Sequence, residues 1–342
     1  MYCLILIMLL KDISFIIPVF NRPDEINELL KSFSELDGDK DFEIVIVEDG
    51  SKQKCEHIIE NFNNLNIAYF FKKNSGPGDS RNFGMNVAKG KYFIILDSDV
   101  ILPSDYNKIL IKNLNKNFSD CFGGVDDSHH SFNYFQKAVS YSMTSFITTG
   151  HIRGGDKSKD FQPRSFNMGI SKEAYLRSKG FGKIHPGEDP DLSIRLKELG
   201  FSTKLYNDLK VFHKRRISVL SFFNQVYKFG VARSILNNRY PKTKKIIYWF
   251  PLIFSSVFLV SIFLFLFNIS NLILTIYLLY FLLIFIQSSF KNDPLVGLLS
   301  IMTTLIQFVG YGYGFFKSFI LINMFPNKKI ESIFPKMFFN HN

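Results

Sequence analysis

Four short runs, "ISFIIPV" (13–19), "EIVIVED" (43–49), "IAYFF" (67–71) and "YFIILD" (92–97), are apolar almost without interruption and rich in β-branched and aromatic residues. A strand covered on one face alternates, whereas one covered on both faces does not, so these runs read as buried parallel strands. Between them the period changes. In "RPDEINELLKSFSELDG" Ile26, Leu29, Leu30, Phe33 and Leu36 share one helical face, with Pro23 suited to a first turn and Gly38 to the exit. In "GDSRNFGMNVAKGK" Phe83, Val87 and Ala88 repeat at helical spacing before Gly90. Alternating strand and helix predicts an α/β, Rossmann-like layer with a mostly parallel sheet flanked by helices.

Later the pattern becomes continuous apolarity. No charged residue occurs from Ile246 to Phe267 or from Leu272 to Phe290, and each stretch is long enough to cross a hydrocarbon core about 30 Å thick. A third uncharged run, Pro294 to Phe316, contains Gly297, Gly310, Gly312 and Gly314. It fits a re-entrant or interfacial segment and also a third span. The opening "MYCLILIMLL" is too short to span and has no signal-peptide cleavage pattern. The expected organisation is an apolar lead-in (1–11), an α/β domain (12–215, with halves 12–105 and 106–215), a basic juxtamembrane segment (216–245), two or three membrane helices (246–324) and a basic tail (325–342).

The formal charge of +11 is concentrated. Eleven Lys and Arg lie between Thr203 and Lys245 against one acid, Asp208. Beside a bilayer such a block binds anionic lipid headgroups and is retained in the cytoplasm, so nucleic acid is not the expected partner. A multi-pass protein of the cell membrane follows, with the α/β domain inside, the "NIS" link (268–270) outside and Lys291 inside again. Cys3, Cys55 and Cys121 have no metal-ligand or disulfide spacing and fit a reducing compartment.

In open α/β sheets ligands sit beyond the carboxyl ends of the strands, where Asn21, Asp49 and Asp97 fall. Residues two apart in extended chain point the same way, so Asp97 and Asp99 can direct both carboxylates to one spot. Two hard oxygen ligands suit Mg²⁺ or Mn²⁺ when water and a diphosphate complete the shell. An isolated D-x-D is also consistent with solvated turn acids.

This one is not isolated. "SFIIPVFNRPDE", "EIVIVEDGS", "NSGPGDSRNFGMNVAKGKYFIILDSDV" and "GEDPDLSIRLKELGF" occur in an order and spacing that resembles the family-2 glycosyltransferases of the GT-A fold, over roughly residues 12–215. The resemblance implies that Pro18, Phe20, Asn21, Arg22 and Asp49 hold the base and ribose of a nucleotide-sugar. It also implies that Arg81 contacts the nucleotide, Asp97 lies near the ribose and Asp99 ligates the metal. His213 matches a further metal ligand, though a histidine in "VFHKRR" serves a structural role equally well. Asp189 matches the base that takes the acceptor's proton. Local pattern gives it another role: with Pro190 at the first helical position and Leu192, Leu196 and Leu199 on the buried face, Asp189 is an N-cap. Asp191 would complement the helix dipole. Arg153, Arg164 and Asn167 fall where the family builds its acceptor face, and each also fits a surface or loop-closing role.

The implied function is inverting, metal-dependent transfer of a sugar from a nucleotide-sugar, by resemblance a UDP-sugar, to a lipid-linked or surface-glycan acceptor at the cytoplasmic face. A processive polysaccharide synthase is an alternative. "NQVYKFG" is similar to the Q-x-x-R-W motif of those enzymes, but Lys228 and Phe229 replace its arginine and tryptophan. A sugar nucleotidyltransferase needs a Gly-rich basic loop after its first strand, and "PVFNRPDE" has one Arg and no glycine. A catalytically silent membrane scaffold leaves the acidic motifs unexplained.

Overall fold

The computed structural model describes residues 7–127, 132–150, 161–213 and 218–339. Cys3, Arg153 and the Lys214–Arg216 part of the basic block lie outside these residues. Two compact units form: residues 1–129, 154–213 and 339–342 make one, and residues 130–153 and 214–338 make the other.

The first unit is built on one mixed sheet of eight strands among the described residues. They are β1 (Ile13–Val19), β2 (Glu43–Asp49), β3 (Ile67–Lys72), β4 (Tyr92–Leu96), β5 (Val100–Ile101), β6 (Cys121–Asp127), β7 (Asn167–Ser171) and β8 (Thr203–His213), in spatial order β3-β2-β1-β4-β7-β6-β8-β5. The strands β1 to β4 are mutually parallel, with Ile16 paired to both Val45 and Ile95. The antiparallel β7 joins β4 to β6, and β8 runs parallel to β6. The carboxyl ends of β1, β2, β4, β6 and β8 therefore share one rim.

Alternate residues feed two cores. Phe15, Ile17, Ile44, Ile46, Ile94 and Leu96 pack on one face with α1 (Pro23–Ser34) and α3 (Tyr106–Lys116). Ile16, Val45, Val47, Phe93 and Ile95 pack on the other with α2 (Pro77–Val87), α5 (Lys172–Ser178) and α6 (Glu188–Glu198). Full burial of both strand faces explains why these segments are uninterruptedly apolar. The approach of α2 to the sheet is close: a Cβ on Gly84 would stand 2.6 Å from Ile16 Cγ2. Only glycine lets α2, which carries Arg81, lie this near β1 and β2.

The second unit contains α4 (Tyr134–Thr144), α7 (Val219–Arg239), α8 (Phe250–Leu266), α9 (Leu272–Lys291) and α10 (Pro294–Met324). Three helices, Ile246–Leu266, Leu272–Lys291 and Pro294–Met324, are long and apolar enough to cross a membrane. The third uncharged run is one continuous helix of 31 residues, with no break for re-entry. Gly230 of α7 meets the Tyr311 carbonyl and Gly314 of α10 meets the Tyr227 carbonyl so closely that neither position has room for a side chain. This small-residue contact lets two backbones touch, as in membrane helix pairs. α4 joins the same unit: Thr303 donates to the Ala138 carbonyl at 3.2 Å, and Tyr141 donates to Gln287.

Candidate active site

The rim of the first unit gathers the acidic motifs. Beyond β1 the chain turns at Asn21, whose φ is 53°. Its side-chain oxygen accepts from the Lys52 and Gln53 amides at 2.7 and 3.2 Å, and its own amide donates to Ser51 Oγ at 2.7 Å. Asn21 thus ties the β1 loop to the β2 loop. Asp49, at the end of β2, accepts from the Ser75 and Gly76 amides at 2.9 and 2.8 Å and pairs with Lys72 Nζ at 2.7 Å. Its carboxylate shapes the turn that starts α2. Pro18 lies within β1, and Phe20 beside Asn21 is half exposed.

Asp97, Asp99 and His213 each present a ligand atom within 4.8 Å of the others. His213, the last residue of β8, has Nε2 3.2 Å from Asp99 Oδ1 and stacks on Phe166. Arg22 donates to the other Asp99 oxygen at 2.8 Å. Two carboxylates and an imidazole suit a divalent cation of the Mg²⁺ or Mn²⁺ kind, with positions left for water and phosphate oxygens.

Arg81 links this cluster to α6. Its guanidinium is 4% exposed, and donates to Asp97 Oδ1 at 2.7 Å and to Glu188 Oε1 at 3.1 Å. Nε has no acceptor among the described residues. Glu188 also meets His185 Nδ1 at 2.8 Å. Burial pushes the Glu188 carboxyl up, but His185 and Arg81 outweigh it and hold the group at about 2.

Helix α6 begins two residues earlier than its pattern suggests. Gly187, with φ 127°, is the N-cap, Glu188 is the first helical residue and Asp189 the second. Asp189 is therefore not the cap, and Leu199 at the far end is 38% exposed rather than buried. Asp189 Oδ2 accepts from the Ser165 amide and hydroxyl at 3.1 and 3.3 Å, while Oδ1 is buried without a hydrogen-bond partner among the described residues. Burial, then the Glu188 charge, pushes its pKa up to about 6. Asp191 is engaged elsewhere: Arg195 donates to its Oδ2 from Nε and Nη2 at 3.0 and 2.9 Å. Asn167 is fully buried, donating to the Leu209 carbonyl and accepting from Tyr106, so it is part of the scaffold. Arg164 adds positive potential beside Asp189.

A mixed sheet of this topology with a D-x-D at the end of β4 defines the GT-A class. Residues 14–179 match glycosyl transferase family 2, and the chain carries a family-2 glycosyltransferase domain of the GT-A fold. An uncharacterized glycosyltransferase of Rickettsia conorii is 40% identical over 141 residues, covering 41% of this chain and 22% of the relative. The GalNAc(5)-diNAcBac-PP-undecaprenol beta-1,3-glucosyltransferase of Campylobacter jejuni is 26% identical over 220 residues, 61% of this chain and 68% of the relative. The chain spans about a fifth of the length of the two Rickettsia relatives it matches first. A Pyrobaculum calidifontis mannosyltransferase, solved in complex with GDP-Man and Mn2+, has the same fold: TM-score 0.55 at 14% identity, over 93% of this chain and 88% of that one.

Removing a charge that bridges two acids leaves them uncompensated, at a cost of about 3–5 kcal/mol for buried pairs. Arg81→Met is expected to lower the thermal unfolding midpoint of the detergent-solubilised protein clearly. Arg81→Lys is expected to recover only part, because an ammonium cannot span both carboxylates as the planar fork does. An unchanged midpoint in Arg81→Met would contradict the bridging role.

Proposed function

We propose that the protein is an inverting, metal-dependent glycosyltransferase that moves a sugar from a nucleoside diphosphate sugar, by preference a UDP-sugar, to a lipid-linked or surface-glycan acceptor at the cytoplasmic membrane face. The observation that carries this is the pairing of a cation-binding cluster (Asp97, Asp99, His213) with a buried carboxylate oxygen of Asp189 that has no partner among the described residues. A cation held by the cluster supplies charge compensation for a departing diphosphate. Asp189 Oδ1 accepts the proton of the acceptor hydroxyl as its oxygen attacks the anomeric carbon. A new glycosidic bond forms as the bond to the diphosphate breaks, and the diphosphate leaves with the electron pair. Arg22, now on Asp99, is placed to turn to phosphate oxygens, and Asn21, Phe20, Pro18 and Asp49 form the rim where a base and ribose would lie. The Campylobacter relative, named for an undecaprenol-linked substrate, supports the lipid-linked acceptor.

A base works deprotonated, so raising its pKa moves the acidic loss of rate to higher pH. With Asp189 near 6, kcat/KM is expected to fall about tenfold per unit below that pH and to level above it. Asp189→Asn keeps the fold and donor binding and loses transfer by on the order of 10²-fold or more. Near-parent transfer by Asp189→Asn, or a flat profile down to pH 5, would contradict the assignment.

The same orientation specifies the membrane path. Phe339 groups with the unit that holds the acidic motifs, and a chain that leaves that unit and returns to it supports an even number of crossings. α8 and α9 supply two. The second half of α10 packs along α7, which carries Lys228, Arg233 and Arg239 and suits the interface rather than the hydrocarbon core. In intact cells, cysteines placed at Asn268 should react with an impermeant reagent, while those at Lys204 and Asn323 should be protected. Outside labelling at Asn323 would make α10 a third crossing.

A further inference from the structure

The pairing of β6 with β8 shifts register after Gly124: Gly124 faces Tyr206, but Val125 faces Lys210. Past this irregularity Asp126 faces Val211 and Asp127 faces Phe212. Residues two apart on a strand share a face, so His213, two beyond Val211, emerges on the same face as Asp126. The side chains meet there. His213 Nδ1 lies 3.9 Å from Asp126 Oδ2, while Nε2 on the opposite edge of the ring lies 3.2 Å from Asp99 Oδ1. Phe166 stacks on the ring at 5.1 Å with planes 18° apart, which restricts tilting. Asp127 points away and meets Lys210 at 3.8 Å.

We propose that Asp126 is a positioning residue for His213: its carboxylate draws the imidazole proton to Nδ1 and thereby presents the Nε2 lone pair to a divalent cation shared with Asp97 and Asp99. The inference rests on the metal site proposed above and extends it by one layer. A neutral imidazole offers a lone pair on one nitrogen only, and a carboxylate at the other fixes the tautomer and raises ligand basicity. Closing 3.9 Å to a hydrogen bond takes a shift of about 1 Å, within reach of rotation of the Asp126 carboxylate. The register shift is what makes the arrangement possible, because without it Asp126 would face a different residue of β8.

The test is Mn²⁺ affinity of the purified full-length protein, read by electron paramagnetic resonance of free Mn²⁺, alone and with UDP present. Asp126→Asn is expected to weaken Mn²⁺ binding about 10- to 100-fold, with an unchanged thermal midpoint in the absence of metal. Asp127→Asn is expected to leave affinity unchanged. In a His213→Gln background Asp126→Asn is expected to add no further loss, since its effect runs through the imidazole. Parent-like affinity in Asp126→Asn, while Asp99→Asn abolishes binding, would overturn this inference and leave the metal site standing. Equal losses with and without His213 would make Asp126 a direct or long-range contributor and would also overturn it. Absence of Mn²⁺ binding by the parent protein under both conditions would overturn the metal site itself.

Discussion

One buried guanidinium organises the site. Arg81 sits on α2, reaches Asp97 at the end of β4 and reaches Glu188 at the start of α6, so three elements of different sequence position are held by one group. A charge with 4% exposure persists only if its partners are also charged and well placed. That requirement propagates outward. α2 must approach β1 and β2 closely enough for Arg81 to reach β4, which Gly84 permits. The start of α6 must face the sheet rim, which the turn at Gly187 achieves.

The electrostatic consequence falls on Asp189. Arg81 and His185 stabilise the Glu188 charge, and a charged, buried neighbour raises the proton affinity of the next carboxylate. Two adjacent acids are thereby driven apart in proton affinity, Glu188 held ionised in an ion-pair network and Asp189 raised, as the base role proposed for it requires. Environments that separate the pKa values of neighbouring groups are a recurring way to assign such roles. Asp191, closed by Arg195, belongs to the scaffold.

Much of the first unit was legible in the sequence because β1, β2 and β4 are covered on both faces; β3, at the sheet edge, is only partly buried, with Phe71 48% exposed. The expected runs at 13–19, 43–49, 67–71 and 92–97 match β1 to β4 within one residue at their ends. Asp97 and Asp99 were legible as a pair, but what brings them together is the turn at Ser98 and Asp99 between β4 and β5 rather than the alternation of extended chain. The start of α6 was misread because proline fits several first-turn positions, and the positive φ of Gly187, which sets the cap, leaves no local pattern. The grouping of α4 with the membrane helices was also hidden. "YFQKAVSYSMT" is too polar for a hydropathy signal, yet Ser142 and Thr144 return their hydroxyls to the helix backbone and so remain compatible with burial. Asp126 could not be found from local pattern at all, since its place beside His213 depends on a register shift between distant strands.

The most direct test of the central claim is the fate of a nucleoside diphosphate sugar. Purified, detergent-solubilised protein would be incubated with a panel of these donors, Mn²⁺ and a lipid-linked glycan acceptor, and the products followed by nuclear magnetic resonance. The account predicts one free nucleoside diphosphate per glycosylated acceptor, with the anomeric configuration inverted relative to the donor. Pyrophosphate as the product, retention of configuration, or no diphosphate from any donor would contradict it.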